Sequence, residues 1–458
     1  MRLVINPQNL FRHEFFGGLF HSRNDGTMME ISHEDAIFVW AIERLGDPVL
    51  ASKVFCEVFP GSSYYPSIQP FLDEDLVVEV NNNPIYMEDI REVVIDGRKR
   101  LSEAKSRKYL RAPLSLSIYP SMVCNQNCRF CFIGSEKKCI KERESKKWVR
   151  LLSEAKDLGI PMISILGGEP TQYKGLLKIL EQIEILGLKT NLTTNGTLIS
   201  SEVMQQMKKS KKLTVCFSLQ SLDQYHENWT GLPSMVVQRS IKQFVSDGNN
   251  CRVNTVYTGQ STDQILDLAR FCLDNNVKKL SISVFNTCEK ADTYSISRLR
   301  RVGETVKERL LGITGSEKLT FTIEGCLLYS AYPEIIDNPI LTELDQLLNG
   351  CEAGQTILEV LPNGQVLPCI LFPLSSRASG NIFESGIQDI WDNDILLNKI
   401  RSFRTKDPIC KNCNFFNFCN GGCPSMQLAI HGKIGLKGDP NCEIRNRSEG
   451  RGNEQRKA

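Results

Sequence analysis

Between residues 113 and about 323 the chain alternates short apolar runs with amphipathic stretches. The runs LSLSI (114–118), MISIL (162–166), TNLTT (190–194), LTVCFSL (213–219), RVNTVY (252–257) and LSISVF (280–285) have the length and β-branched content of buried strands. Between them, SKKWVRLLSEAKDLG places Trp148, Leu151, Leu152, Ala155 and Leu158 at helical spacing, and Gly159 then supplies a stop. Similar helical patterns occupy 174–186 and 263–275. Repeated β-α units of this kind require a parallel sheet with helices outside it, as an open doubly wound sheet or as a partial (β/α)6 barrel. Either way, chemistry belongs at the carboxyl ends of the strands.

The pattern differs before residue 85. GGLFHSRNDGTMMEIS predicts a β-hairpin turning at Asn24, Asp25 and Gly26, followed by Ser32 as a helix N-cap. Helices are predicted at 33–45, 47–58 and 64–72, then a strand, LVVEV, at 76–80. Residues 1–85 thus form a small α+β module, and the charged stretch 86–112 reads as a linker. The polar end, 446–458, reads as a disordered tail. The first 95 residues carry 6 Lys or Arg against 15 Asp or Glu, so an acidic module precedes a basic remainder.

Composition narrows the class. The chain has 458 residues, 41% hydrophobic and 24% charged, with a net charge of +2, which suits a soluble globular protein and gives no general attraction to nucleic acid or anionic membrane. No signal peptide or apolar run long enough to span a bilayer is visible, so a cytoplasmic location is expected. In a reducing compartment 17 cysteines do not read as a disulfide framework, and thiolate ligation becomes the leading use. Six of them, Cys56, Cys139, Cys216, Cys251, Cys272 and Cys288, are scattered singly and are expected to pack as small hydrophobes.

Three cysteines cluster as CNQNCRFC: Cys124, Cys128 and Cys131, in a loop following the first strand of the repeats. Three thiolates can hold three irons of a cubane and leave one open, whereas a closed zinc site wants a fourth ligand that is missing nearby. The spacing resembles the CxxxCxxC signature of the radical S-adenosylmethionine (radical SAM) superfamily, including an aromatic, Phe130, before the last cysteine. Gly167, Gly168, Glu169 and Pro170 after the second strand resemble the family's GGEP motif. Asn195 in TTNGT and Ser218 in FSLQS follow the next two. The resemblance implies that Phe130, Gly167, Gly168, Glu169, Asn195 and Ser218 line the SAM site, with Glu169 accepting from the methionine ammonium. Gln220 replaces the family's aspartate, and Thr230 stands where some relatives place an arginine. The implied chemistry is one-electron cleavage of SAM to a 5′-deoxyadenosyl radical, which abstracts an unactivated hydrogen.

Beyond residue 324, Cys351, Cys369, the CxxC-x5-C-x3-C run from Cys410 to Cys423, and Cys442 resemble the seven-cysteine pattern of SPASM domains, here 324–445. Without that resemblance a zinc knot would rank beside an iron-sulfur centre for Cys410 to Cys423. With it, Cys410, Cys413, Cys419 and Cys442 are implied to hold one auxiliary 4Fe-4S cluster. Cys351, Cys369 and Cys423 hold another, with Cys326 as candidate fourth ligand, giving three clusters in all. The acidic N-terminal module resembles the winged-helix precursor-recognition element of ribosomal-peptide maturases, which binds a leader peptide by strand addition.

The expected function is therefore a radical SAM maturase that installs an oxidative cross-link, thioether or carbon-carbon, in a precursor peptide, supplied with electrons by a flavodoxin or ferredoxin. The alternatives are a sulfatase-maturating type, disfavoured by Ile370 where that type has an aspartate, and a peptide epimerase drawing hydrogen from Cys139, Cys216 or Cys288. A non-catalytic iron-sulfur carrier would have no use for a SAM pocket. The sequence names no catalytic acid or base.

Overall fold

A computed structural model describes residues 2–80, 88–133, 139–284, 296–326, 342–376 and 380–448. The chain divides into two compact units. One runs through Pro113 and includes 342–345, and the other holds the remainder.

In the first unit, β1 (Arg2–Ile5) pairs antiparallel with β5 (Val77–Val80), while β2 (Asn9–Glu14), β3 (Gly17–Ser22) and β4 (Met28–Ile31) form a three-stranded antiparallel sheet. Ser32 caps α1 (His33–Leu45) by accepting from Asp35 N at 3.0 Å, and Asp47 caps α2 (Pro48–Val58). The short α3 covers Gln69–Asp73. Ile37 through Ile42 form the centre of the unit's core, with Phe20, Val54, Phe71 and Val77 around them.

The stretch expected as a linker instead contains α4 (Ile90–Ser106), capped by Asp89. Its Gly97 lies so close to Trp40 and Val58 that a Cβ would stand 3.1 and 3.2 Å from their side chains, and Val93, Val94 and Ala104 are buried with it. Beyond it, Arg12 donates to the carbonyls of Ala112 and Pro113, and Glu14 accepts from Arg111 N at 2.6 Å. Arg12 and Glu14 themselves form a buried ion pair of 2.6 Å.

The second unit contains a nine-stranded sheet. Its strands are β6 (Ser115–Ile118), β7 (Met162–Ile165), β8 (Lys189–Thr194), β9 (Leu213–Ser218), β10 (Cys251–Tyr257), β11 (Lys279–Val284) and β12 (Thr320–Glu324), then β13 (Ile357–Val360) and β14 (Val366–Leu367). The spatial order runs β12-β11-β10-β9-β8-β7-β6-β13-β14, and only β13–β14 is antiparallel. A doubly wound sheet reverses its strand order. This one never does from β6 to β12, so right-handed crossovers keep the helices on one side, as in a partial barrel.

The two faces differ in chemistry. Toward the helices point Leu116, Ile163, Leu192, Val215, Val253 and Leu280, none more than 0% exposed. The opposite face carries Ser117, Ser164, Asn191, Ser218, Asn254, Ser281 and Glu324. No helix among the described residues is long and apolar enough to cross a membrane. The expected tail lies outside the described residues apart from the end of a helix, Glu443–Ser448.

Candidate active site and cysteine centres

Cys124, Cys128 and Cys131 lie half-buried in the loop after β6, beyond its carboxyl end. The turn after β7 is joined to this loop by backbone: Gly168 N donates to Ser121 O at 2.9 Å and Glu169 N to Val123 O at 2.8 Å. Gly167 has φ of +149°, and a Cβ there would stand 2.4 Å from Ser121 O. At Gly168 one would stand 2.3 Å from Val123 O. The paired glycines are therefore required by the cysteine loop's own backbone, a reason absent from their sequence context.

Glu169 is 1% exposed, and four protein donors reach its carboxylate. Oε1 accepts from Thr171 N, Thr171 Oγ1 and Thr194 Oγ1 at 3.0, 2.7 and 2.7 Å, and Oε2 from Asn195 N at 2.7 Å. Burial raises its pKa against the pull of these four donors. A carboxylate offers about four lone-pair sites. The side chain expected to accept from an ammonium group is thus engaged in tying the β7 and β8 turns together. Asn195 continues the tie, its Nδ2 donating to Asn125 Oδ1 at 2.9 Å and lying 3.9 Å from Cys124 Sγ.

The Phe130 ring lies 6.4 Å from Trp229 in a tilted contact, and Trp229 lies 6.1 Å from Tyr225 on the helix Gln224–Thr230. Ser218 ends β9 and accepts from Gln220 Nε2 at 3.1 Å. The glutamine that replaces the family aspartate is fully buried and belongs to a polar network: its Oε1 accepts from Val256 N at 2.8 Å, and its N donates to His226 Nδ1 at 3.0 Å. Gln260 Nε2 donates to Val256 O at 3.0 Å. Desolvation lowers His226 to about 4, so it is neutral. Thr230 turns back onto the His226 carbonyl and is buried.

On the polar face, Glu324 pairs with Arg252 and with Lys279 Nζ at 2.8 Å. Burial acts to raise its pKa, but these two cations hold it below the usual carboxylate range. Asn254 Oδ1 accepts from Ser281 and Ser283 hydroxyls at 3.0 and 2.7 Å. On β13, Glu359 is pushed up to about 7 by burial, against the pull of the neighbouring Tyr119 and Ser117 hydroxyls. The sequence held no sign of Glu324 or Glu359, because facing partners come from strands far apart in the chain.

The later cysteines fall into two groups. Cys410, Cys413, Cys419 and Cys442 line one small apolar pocket with Phe415, Phe416 and Ile444. Burial raises Cys410 to about 12 and Cys442 to about 11, and each feels the charge of Cys419. In the second group Cys351 is raised to about 12, and Cys369 and Cys423 well above the thiol range. All three are raised chiefly by burial and feel the charge of Cys326. Cys326 is an exposed residue whose sulfur is nonetheless withdrawn from water, and that burial, followed by the charges of Glu352 and Asp439, raises its thiol to about 11. Buried thiols of this kind stay protonated unless a metal takes them as thiolates. Among the described residues no three His, Cys, Asp or Glu side chains converge tightly enough for a single ion.

Of the scattered cysteines, Cys216, Cys251 and Cys272 are buried as expected. Cys56 and Cys139 are exposed, Cys56 because α2 turns Ala51, Val54, Phe55 and Val58 inward instead. Cys288 lies outside the described residues.

Residues 118–286 match the Radical SAM superfamily, and 351–414 match SPASM, an iron-sulfur cluster-binding domain. Streptococcus suis SuiB, solved bound to S-adenosylmethionine, is 33% identical over 96% of this chain and 100% of its own, with a TM-score of 0.85. The chain belongs to the radical SAM superfamily. Curated radical SAM relatives include the PqqA peptide cyclase of Bradyrhizobium diazoefficiens, 24% identical over 72% of this chain and 86% of its own. Another is the mycofactocin maturase MftC of Mycolicibacterium smegmatis, 23% identical over 73% and 83%. As a radical SAM protein with a SPASM region, the chain uses 4Fe-4S and S-adenosylmethionine chemistry.

Proposed function

We propose that this radical SAM protein is a maturase that abstracts hydrogen from a ribosomally made precursor peptide and closes an oxidative cross-link, thioether or carbon-carbon. The observation that carries the reading is the near-full-length similarity to SuiB, which has also been solved bound to its precursor peptide SuiA: 33% identity over 97% of this chain, TM-score 0.85. Cys124, Cys128 and Cys131 hold the SAM-binding cluster. Phe130, the backbone of Gly167 to Glu169, Asn195 and Ser218 border the ligand. Cys410, Cys413, Cys419 and Cys442 hold one auxiliary cluster, and Cys351, Cys369, Cys423 and Cys326 another. SAM on its cluster supplies hydrogen-atom abstraction.

The protein's part is to orient the peptide. Asn254, Ser281, Ser283 and the ionised Glu324 give the polar sheet face donors and acceptors for a peptide backbone, and a leader strand adds to an edge of β2-β3-β4. Co-expression with the neighbouring short open reading frame, followed by high-resolution mass spectrometry, tests this. The product is expected to weigh two hydrogens less per link, with one SAM consumed. An unchanged mass with deuterium uptake from D2O would overturn the cross-link in favour of epimerisation.

A further inference from the structure

Around the Cys410 group the charges are sorted by depth. Residues 401–445 contain seven Lys or Arg and three Asp or Glu. Two of the acids are consumed inside. Asp407 is 5% exposed, pairs with Arg445 at 3.2 Å and accepts from Gly438 N, and Asp439 is 1% exposed and accepts from Cys423 N and Asn441 N. Glu443 is half-buried, while Arg404, Lys406, Lys411, Lys433 and Lys437 are exposed. None of these five makes an ion pair among the described residues.

Backbone packing draws them to one rim. Lys406 N donates to Gly435 O at 2.7 Å, and a Cβ on Gly438 would stand 2.5 Å from Cys410 Sγ. Lys411 is the next residue after Cys410. Leu436, between Lys433 and Lys437 in the chain, is 50% exposed, and Ile430, three residues before Lys433, is 47% exposed. Cations around exposed aliphatic side chains are the anatomy of a protein-docking site with steering charges, since a phosphate backbone offers nothing to a leucine.

We infer that this rim docks an acidic one-electron carrier protein, which exchanges electrons with the centre held by Cys410, Cys413, Cys419 and Cys442. The inference rests on the assignment of a four-iron cluster to those cysteines. In the exchange the carrier gains the one electron that the cluster loses, or the reverse. No bond forms or breaks, and no proton is required. Small, charge-steered interfaces suit such transient encounters.

The test uses full-length reconstituted enzyme carrying Lys406→Glu, Lys411→Glu, Lys433→Glu and Lys437→Glu. A control carries the same change in net charge at exposed positions elsewhere on the same unit: Lys209→Glu, Lys211→Glu, Lys307→Glu and Lys318→Glu. Stopped-flow exchange between the photoreduced enzyme and an oxidised acidic flavodoxin is followed at several salt concentrations. The rim variant is expected to lose at least about tenfold in second-order rate, together with most of the salt dependence, while the control keeps both. Equal loss in rim variant and control, or an unchanged rim rate, overturns the inference. So does a rim variant that loses only retention on DNA or on phosphatidylserine vesicles. Iron content and EPR of the unmutated enzyme separate the two failures: absence of a cluster at Cys410 removes the assignment, and a normal cluster with unaltered exchange removes the docking surface.

Discussion

Glu169→Gln separates two roles for the acidic residue of the GGEP turn. In the wild type four donors converge on the carboxylate, one of them, Asn195 N, on Oε2 alone. A glutamine must present an NH2 where one oxygen stood. The less costly orientation turns it toward Asn195 N–H, leaving that buried donor without an acceptor at a cost of about 1–3 kcal/mol. The other three bonds change from charge-assisted to neutral, losing roughly 1 kcal/mol each. The sum is about 5 kcal/mol, and at about 2–4 °C per kcal/mol a fall of about 10–20 °C in Tm is expected. Because Asn195 also reaches Asn125 and Cys124, iron retention at the three-cysteine site should fall with it. Differential scanning calorimetry of the apoprotein, iron analysis and SAM binding by equilibrium dialysis are measured on the same preparation. An unchanged Tm with normal iron but strongly weakened SAM binding would refute the reasoning and return Glu169 to the ligand.

Deleting residues 2–106 should abolish peptide modification while uncoupled SAM cleavage persists, read as 5′-deoxyadenosine by chromatography; modification at the intact rate would remove any recognition role. Cys326→Ala should shift or split the EPR signal of the cluster at Cys351, Cys369 and Cys423, and an identical spectrum with full activity would place the fourth ligand elsewhere. His13 is buried against His33 at 3.0 Å and depressed to about 3, first by burial and then by the charge of His33, Arg100, Arg111 and Lys105. Its unfolded form protonates near 6.5, so the unfolded state binds the extra proton and stability falls as pH drops from about 6.5 toward 3, by about 1.4 kcal/mol per unit. Hydrogen exchange of β2 amides at pH 7.5 and 5.0 should show this loss in the wild type and a smaller one in His13→Asn.

The six strands predicted from apolar runs occur within about a residue of their expected ends, because each is buried on its helix-facing side and bounded by turn residues. What escaped the sequence has physical causes. In α4 the buried seam is only Val93, Val94, Gly97 and Ala104, and charged residues on its other faces read as a linker. β12 and β13 were missed because their partners, β11 and β6, are identified by pairing, and local pattern carries no record of pairing across about 40 residues for β12 or more than 200 for β13. Asn363-Gly364 between β13 and β14 was an unread hairpin signal. The cysteine groupings followed from resemblance, whereas the Gln220, His226 and Gln260 network shows itself only once β9 and β10 lie side by side.

β13 also decides how this chain can be cut. It comes from the SPASM match, yet it aligns Ile357 to Ser115 and Val360 to Ile118, beside the strand that leads to the loop of Cys124, Cys128 and Cys131. Excising the barrel ahead of residue 351 strips β6 of that neighbour, leaving an apolar edge open to pairing with other chains. Expression of the excised barrel should therefore yield aggregates, and domain exchange between relatives should succeed only when the donor barrel travels with its own β13–β14 hairpin. The unit of inheritance for the three-cysteine loop is longer than the motif it carries.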